Sequence, residues 1–282
     1  MKETWGSFTK EKDFLVCVDS DGCAMDTMDI KHIKCFGPCM VEEWGLEEWR
    51  EPILKRWNEI NLYQKTRGIN RFKALALILT EIHHNYVRIN DLDNLVYWAD
   101  HAKELSNSSL EAAAEEADSI SMRKALNWSK QVNKKIDELP DEEKKPFVGV
   151  KAALEEIHKY ADVAIVSSAN RKAVLDEWGK EGLLECTDIV MAQDCGSKSH
   201  CISTLKQSGY ADDHVLMVGD APGDLQAAEK NQVLFYPILV KREQESWKEL
   251  AEKGLQVFLA GQYENGYEKE KIEQFWSNLS QG

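Results

Sequence analysis

Hydrophobic and polar positions alternate along the chain in two different patterns. Short continuous apolar runs, separated by segments with helical periodicity, occur near the start and throughout the second half. The runs predict strands at residues 14–18, 163–166, 189–191, 215–218 and 233–236. Continuous apolar strands that alternate with helices are typical of a parallel sheet buried on both faces. The pattern therefore predicts an α/β core with an open parallel sheet.

A long helical segment separates the first predicted strand from the others. Five tryptophans recur in it at helical spacing: Trp44, Trp49, Trp57, Trp98 and Trp128. This spacing is more typical of the core of a small bundle than of a ligand platform. We predict an all-helical cap domain over residues 29–148, inserted into a core domain of residues 1–28 and 149–282. Residues 245–279 have the pattern of helices packed on the edge of that core.

Charge and cysteine content narrow the classes of function. The 282 residues carry a net charge of −14, which disfavours nucleic acids and anionic membranes as partners, because both require a basic surface. The seven cysteines include no CxxC pair, which favours reduced thiols. The sequence shows no signal-peptide pattern and no apolar run of membrane-spanning length. We expect a soluble cytoplasmic protein with no nucleic-acid or membrane partner.

The most informative stretch is Asp19-Ser20-Asp21-Gly22, directly after the first predicted strand. Open α/β sheets bind ligands at the carboxyl ends of their strands, and strand alternation turns Asp19 and Asp21 to one face. Two carboxylates so close repel each other unless a cation or a shared proton intervenes. The arrangement suggests Mg²⁺ chemistry with one carboxylate as nucleophile and the other as acid and base. An ordinary Asp-Gly turn is the alternative.

Polar groups also follow three other predicted strands. Ser167 comes directly after the second strand, and Lys198 follows the third. The fourth strand runs into Gly219-Asp220-Ala221-Pro222-Gly223-Asp224. Because parallel strands end at the same edge of a sheet, we expect these groups to converge with Asp19 and Asp21.

These residues resemble the four motifs of the haloacid dehalogenase superfamily, whose members are mostly phosphate-transferring enzymes. The first motif, DxDG, matches residues 19–22, and the fourth, GDxxxD, matches residues 219–224. The second motif, Ser or Thr after an apolar strand, matches Ser167, and the third, a lone Lys, matches Lys198. Four motifs in order on their expected elements are specific, although the second and third alone are weak. The resemblance covers the whole core and implies a Rossmann-like sheet with a C1-type helical cap.

The resemblance implies catalytic roles for four side chains. Asp19 would attack phosphorus and form an aspartyl phosphate. Asp21 would protonate the leaving oxygen and then take a proton from the attacking water. Ser167 would bind phosphoryl oxygens, and Lys198 would add positive charge and orient Asp19. Ser168 competes with Ser167 for the substrate-binding role, and either serine could cap the following helix.

The same resemblance implies a Mg²⁺ site. The ligands would be the Asp19 carboxylate, the Asp21 carbonyl oxygen and the Asp220 carboxylate, because Mg²⁺ prefers hard oxygen ligands. Asp224 would be a more distant or an alternative metal ligand.

A basic segment in the helical block, residues 65–73, is similar to the cap loop of β-phosphoglucomutase-like members of the superfamily. That similarity implies that Arg67, Gly68 and Arg71 contact the distal part of the substrate, and a solvated basic loop is the alternative. Asn70 is predicted to cap the helix that follows. Where those members often have a histidine, this chain has Lys31, which either contacts substrate or starts a cap helix. The departure weakens a mutase interpretation.

Three functions fit these observations. The first is a Mg²⁺-dependent phosphatase acting on a small phosphorylated metabolite such as a sugar phosphate. The second is a β-phosphoglucomutase-like phosphomutase that uses the same aspartyl phosphate. The third, a non-catalytic ligand-binding protein, is disfavoured because an inert site has no need for two crowded carboxylates. The protein is expected to be a monomer or a homodimer.

Overall fold

The computed structural model describes residues 8–280 and divides the chain into two compact units. The first unit contains the residues up to Met28 and those from Asp141 onward, and the second is Asp29–Pro140. The second segment of the first unit begins at Asp141, whereas the sequence pattern predicts that it begins at residue 149. The cause is backbone pairing: the Asp26 N–H donates to the Lys145 carbonyl at 2.8 Å, and the Phe147 N–H donates to the Ala24 carbonyl at 3.0 Å.

The first unit is built on a five-stranded parallel sheet. Its strands are β1 (Phe14–Val18), β2 (Ala161–Val166), β3 (Ile189–Met191), β4 (Val215–Gly219) and β5 (Leu234–Pro237). Their order in the sheet is β3-β2-β1-β4-β5, and all four pairings are parallel. The predicted α/β fold with an open parallel sheet is confirmed, and β2 begins two residues before its predicted start. Val16, Val18, Val163 and Ile165 are fully buried in the core of this unit, as continuous apolar strands require.

Fourteen α-helices lie within the described residues. They are α1 (Met28–Lys31), α2 (Gly37–Trp44), α3 (Arg50–Asn58), α4 (Arg71–Asn85), α5 (Leu92–His101), α6 (Asn107–Glu116), α7 (Ile120–Asp137), α8 (Val150–Ile157), α9 (Arg171–Lys180), α10 (Lys198–Lys206), α11 (Pro222–Asn231), α12 (Glu243–Glu249), α13 (Leu255–Leu259) and α14 (Glu268–Ser280). Four π-helical turns join them at His32–Phe36, Glu59–Tyr63, Leu250–Gly254 and Tyr263–Tyr267.

The C-terminal helices protect the β5 edge of the sheet. A Glu268 carboxylate oxygen accepts a hydrogen bond from the Phe235 N–H at 2.8 Å, and the Tyr263 hydroxyl donates to the Phe235 carbonyl at 3.0 Å. These side chains satisfy backbone groups that an edge strand would otherwise present to another chain. The predicted packing of residues 245–279 on the core edge is thereby explained.

The second unit is helical throughout its secondary structure, and its core is aromatic. Trp57 and Trp128 are fully buried, and their rings lie 6.0 Å apart in an edge-to-face arrangement. Trp98 is also buried, while Trp44 and Trp49 are half-buried against the same cluster. The five tryptophans therefore serve the bundle core, as their spacing predicts. None of the described helices in either unit is long and apolar enough to cross a membrane.

Candidate active site

The acidic residues lie where the sheet topology places a binding crevice. From β1 the chain proceeds to β2 and β3 on one side, whereas β4 and β5 occupy the other side. Neighbouring strands whose connections leave in opposite directions open a crevice at their carboxyl ends. Asp19 follows β1 and Asp220 follows β4, and the two strands are paired in register up to Val18 and Val218. Both carboxylates therefore start from this crevice.

The loop after β1 is folded tightly around Ser20. The Ser20 carbonyl oxygen accepts hydrogen bonds from three backbone N–H groups, those of Cys23, Ala24 and Met25, at 2.8–3.3 Å. Gly22 has a φ of 80°, a conformation that costs glycine little and other residues more. The DxDG pattern thus contains the one residue type that suits this turn.

Asp21 has a partner that sequence reasoning did not assign. The Thr27 hydroxyl, fully buried, donates to Asp21 Oδ1 at 2.5 Å. Thr27 follows Asp26 in the sequence beyond the DxDG motif, and only the folded loop shows what it contacts. The bond fixes one carboxylate oxygen of Asp21.

Lys198 connects two of the acidic residues. Ser197 caps α10 by accepting a hydrogen bond from the His200 N–H at 3.2 Å, which places Lys198 in the first turn of that helix. The Lys198 ammonium lies 2.7 Å from Asp19 Oδ2 and 2.5 Å from Asp224 Oδ1. Burial alone would lower the pKa of Lys198, but the two carboxylates outweigh burial and raise that pKa. Lys198 is therefore a fixed cation beside Asp19.

Asp224 links the start of α11 to Lys198 through its two carboxylate oxygens. Its Oδ2 accepts a hydrogen bond from the Ala221 N–H at 3.1 Å, while Oδ1 contacts Lys198. The carboxylate is completely buried and packs over the backbone of Gly219: a Cβ added at Gly219 would lie 2.4 Å from Asp224 Cγ. Glycine is therefore required at the first position of the GDxxxD motif, because any side chain there would overlap the final aspartate of the same motif.

Three buried carboxylates converge at this edge of the sheet. Asp19, Asp220 and Asp224 each offer an oxygen, and these oxygens all lie within 4.8 Å of one another. Burial is the main cause of a pKa of Asp19 well above the ordinary value, and Asp224 and Asp220 raise it further against the opposing effect of Lys198. Buried carboxylate oxygens this close to one another are a donor set that suits a divalent cation with a preference for oxygen ligands.

The two serines after β2 have different environments. Ser167 is buried, and its hydroxyl accepts a hydrogen bond from the Ala169 N–H at 3.1 Å. Ser168 is exposed. Neither serine caps α9, because Asn170 does so by accepting from the Lys172 N–H at 3.0 Å. Both therefore remain at the carboxyl edge of the sheet, and the choice between them as a phosphate ligand stays a prediction.

Within the second unit, the predicted substrate residues make local contacts. Arg67 is buried and donates to the Leu62 carbonyl at 2.6 Å. Arg71 donates to the Ser129 hydroxyl and to Asn133 Oδ1, at 3.2 Å and 2.7 Å. Asn70 caps α4 as predicted, by accepting from the Phe72 N–H.

Lys31 is also buried, at the end of α1, and Gly68 adopts a φ of 69°. A role for Arg67, Arg71 or Lys31 toward substrate stays a prediction.

Comparison with known families finds one that matches most of the chain. The model of the haloacid dehalogenase-like hydrolases matches residues 69–237, which is more than half of the 282 residues. The match includes Ser167, Lys198 and the loop after β4, and it begins after Asp19. None of the curated proteins matches this sequence.

Solved structures with the same fold are distant in sequence. A haloacid dehalogenase-like hydrolase from Streptococcus pneumoniae is 12% identical with a TM-score of 0.50, covering 83% of this chain and 90% of its own. A proposed haloacid dehalogenase-like hydrolase from Bacteroides fragilis is 14% identical with a TM-score of 0.51, covering 83% and 93%. A proposed phosphoglycolate phosphatase from Lactobacillus delbrueckii subsp. bulgaricus is 13% identical with a TM-score of 0.50, covering 80% and 86%. At these identities the likeness concerns the fold.

Proposed function

The chain belongs to the haloacid dehalogenase-like hydrolases, and on that basis we propose that it is a Mg²⁺-dependent phosphatase for phosphate monoesters of small metabolites, including sugar phosphates. The observation that carries the proposal is the contact of Lys198 with Asp19 inside a buried acidic cluster. The Lys198 ammonium favours the ionised form of Asp19, as a bound divalent cation would, and the ionised carboxylate is the form that attacks an electrophile.

Asp19 is the proposed nucleophile. Attack by Oδ1 or Oδ2 on phosphorus forms an aspartyl phosphate and breaks the bond to the leaving oxygen, which needs a proton. Lys198 lies 2.7 Å from Asp19 Oδ2 and keeps the carboxylate oriented. Its positive charge also offsets the repulsion between Asp19 and the phosphoryl oxygens.

Asp21 is the proposed acid and base. It lies two residues from Asp19 in the same loop, with Oδ1 held by Thr27. In its protonated form, Asp21 would deliver the proton to the leaving group. It would then take a proton from the water that hydrolyses the aspartyl phosphate.

The acidic cluster supplies the proposed Mg²⁺ ligands. Asp19 and Asp220 would bind the ion directly, whereas both oxygens of Asp224 already contact Lys198 and Ala221. When bound, Mg²⁺ would neutralise charge between the nucleophile and the phosphoryl oxygens. Ser167, buried beside this edge, is the proposed phosphoryl ligand.

The test is hydrolysis of an aryl phosphate with and without Mg²⁺, followed by a panel of phosphorylated metabolites. Wild-type protein with Mg²⁺ should release phosphate, and Asp19→Asn should lose at least ~10⁴-fold in rate, because it removes the nucleophile. The matched control is Asp13→Asn, which makes the same change at a side chain 85% exposed at the opposite end of β1. This control should retain the wild-type rate.

Two results would contradict the proposal. Phosphate release that persists in Asp19→Asn would exclude Asp19 as the nucleophile. Isomerisation of a sugar phosphate that depends on added sugar bisphosphate, with little hydrolysis, would instead establish the mutase alternative.

A further inference from the structure

The hydroxyl of Ser20, the residue between the two proposed catalytic carboxylates, has an unusual partner. Ser20 is fully buried, and its Oγ accepts a hydrogen bond from the indole N–H of Trp178 at 2.9 Å. Trp178 is also fully buried, on α9, 158 positions along the chain. A buried polar pair of this kind is costly to break, because either partner left alone loses its hydration without compensation.

Ser20 makes the hydrogen bonds that fix the loop next to the two carboxylates. Its carbonyl oxygen accepts hydrogen bonds from the N–H groups of Cys23, Ala24 and Met25, while its hydroxyl accepts one from the Trp178 indole. The side chain and the carbonyl of one residue are thereby both fixed. The peptide planes on either side of Ser20 lead directly to Asp19 and Asp21, so their orientation follows from that of Ser20.

A second indole holds the same loop from the C-terminal region. The Trp247 N–H donates to the Cys23 carbonyl at 2.9 Å, and Trp247 is fully buried on α12. Cys23 is in turn one of the residues whose N–H binds the Ser20 carbonyl. Two tryptophans from separate helices therefore hydrogen-bond to one six-residue loop, residues 20–25. This loop contains Asp21 and directly follows Asp19.

We propose that Trp178 and Trp247 are positioning residues that hold the loop of residues 20–25 so that Asp19 and Asp21 point to the same crevice. The expected effect of the two tryptophans on catalytic rate rests on the proposed function. Their expected effect on the order of the loop rests on the hydrogen bonds alone. Trp178 contributes through Ser20, and Trp247 contributes through the Cys23 carbonyl. Both indoles act on the carboxylates through the loop, by their hydrogen bonds to Ser20 and Cys23.

The experiment is a double-mutant cycle with Ser20→Ala and Trp178→Phe. Each single variant should lower kcat by about 10- to 100-fold, because small misplacement of reacting groups is costly. KM should stay within about twofold of the wild-type value, because substrate binding is not the affected step. The double variant should be no slower than the slower single variant, since both changes remove the same bond. Ser20→Ala is included because it removes the hydroxyl with little change in core volume, so its effect does not come from a new cavity.

Amide hydrogen exchange provides a readout that does not depend on activity. The amides of Cys23, Ala24 and Met25 should exchange about tenfold faster in both single variants and in Trp247→Phe. The matched control is Tyr263→Phe, which removes one buried hydrogen bond to a backbone carbonyl near β5, away from this loop. In that control kcat and the exchange of the three amides should match wild type.

The outcomes separate the two proposals. Unchanged kcat and unchanged exchange in Ser20→Ala, or additive effects in the double variant, would overturn the positioning role. Faster loop exchange in a protein whose wild type hydrolyses no phosphate ester would support the loop anchoring while refuting the proposed function.

Discussion

The substitution Gly219→Ala tests whether the buried aspartate of the GDxxxD motif is held as tightly as its contacts indicate. The added Cβ would lie 2.4 Å from both Cβ and Cγ of Asp224 and 2.5 Å from its Oδ2. Carbon atoms in contact normally stay about 3.5–4.0 Å apart, so the overlap exceeds 1 Å. Asp224 is completely buried and bound to Lys198 and to the Ala221 N–H. The carboxylate therefore cannot move without losing those partners.

The expected cost follows from two terms. Overpacking of a filled site costs about 1–3 kcal/mol, and loss of a hydrogen bond to a charged group costs about 1.5–3 kcal/mol. Together they predict a loss of roughly 2.5–6 kcal/mol in the free energy of unfolding. For a chain of this size that corresponds to a fall in Tm of roughly 5–24 °C. Phosphatase activity should fall as well, because Lys198 loses one of the two carboxylates that hold it.

Calorimetry and an aryl phosphate assay measure both effects, and Gly223→Ala is the matched control. Gly223 is exposed in the first turn of α11, four positions after Gly219, and an added Cβ there meets no atom within 4 Å. Because alanine favours helix over glycine, the control should gain about 0.5–1 kcal/mol of stability. A Gly219→Ala protein with the Tm and the rate of the control would refute the steric argument.

Three further predictions follow from named contacts. Thr27→Val removes the hydroxyl that holds Asp21 and should lower kcat by about tenfold with KM unchanged; steady-state kinetics that show only a change in KM would contradict it. Burial raises the pKa of Asp19. Above the ordinary aspartate pKa of about 3.9, the metal-free folded protein therefore binds more protons than the unfolded chain. As a result, the stability of the metal-free protein falls as pH rises toward the pKa of the folded state. Mg²⁺ favours the ionised carboxylate, so the rise in Tm on adding Mg²⁺ should grow with pH and flatten in Asp19→Asn; a shift independent of pH in wild type would be evidence against metal binding at Asp19. Asn70→Ala removes the cap of α4 and should cost about 0.5–2 kcal/mol in chemical unfolding, whereas Asn70→Asp should retain stability.

The strands were predictable because each is a continuous apolar run. Burial on both faces of a parallel sheet imposes that pattern locally, so β1 and β3 coincide with their apolar runs. The ends were less certain: β2 begins at Ala161 and β5 extends to Pro237, because pairing with a neighbouring strand decides where a strand starts and stops.

The sequence by itself determined the sheet, the helical insertion and the residues of the proposed chemistry, because hydrophobic periodicity and short motifs are local properties of the chain. Only the tertiary structure decided which partners those residues have. Neither hydrophobic periodicity nor motif spacing specifies the hydrogen bond of Thr27 to Asp21, that of Trp178 to Ser20, or the close approach of Asp224 to Gly219. Trp178 and Ser20 are 158 positions apart, and such a pair forms because a buried hydroxyl and a buried indole N–H must each find a partner inside a closely packed core.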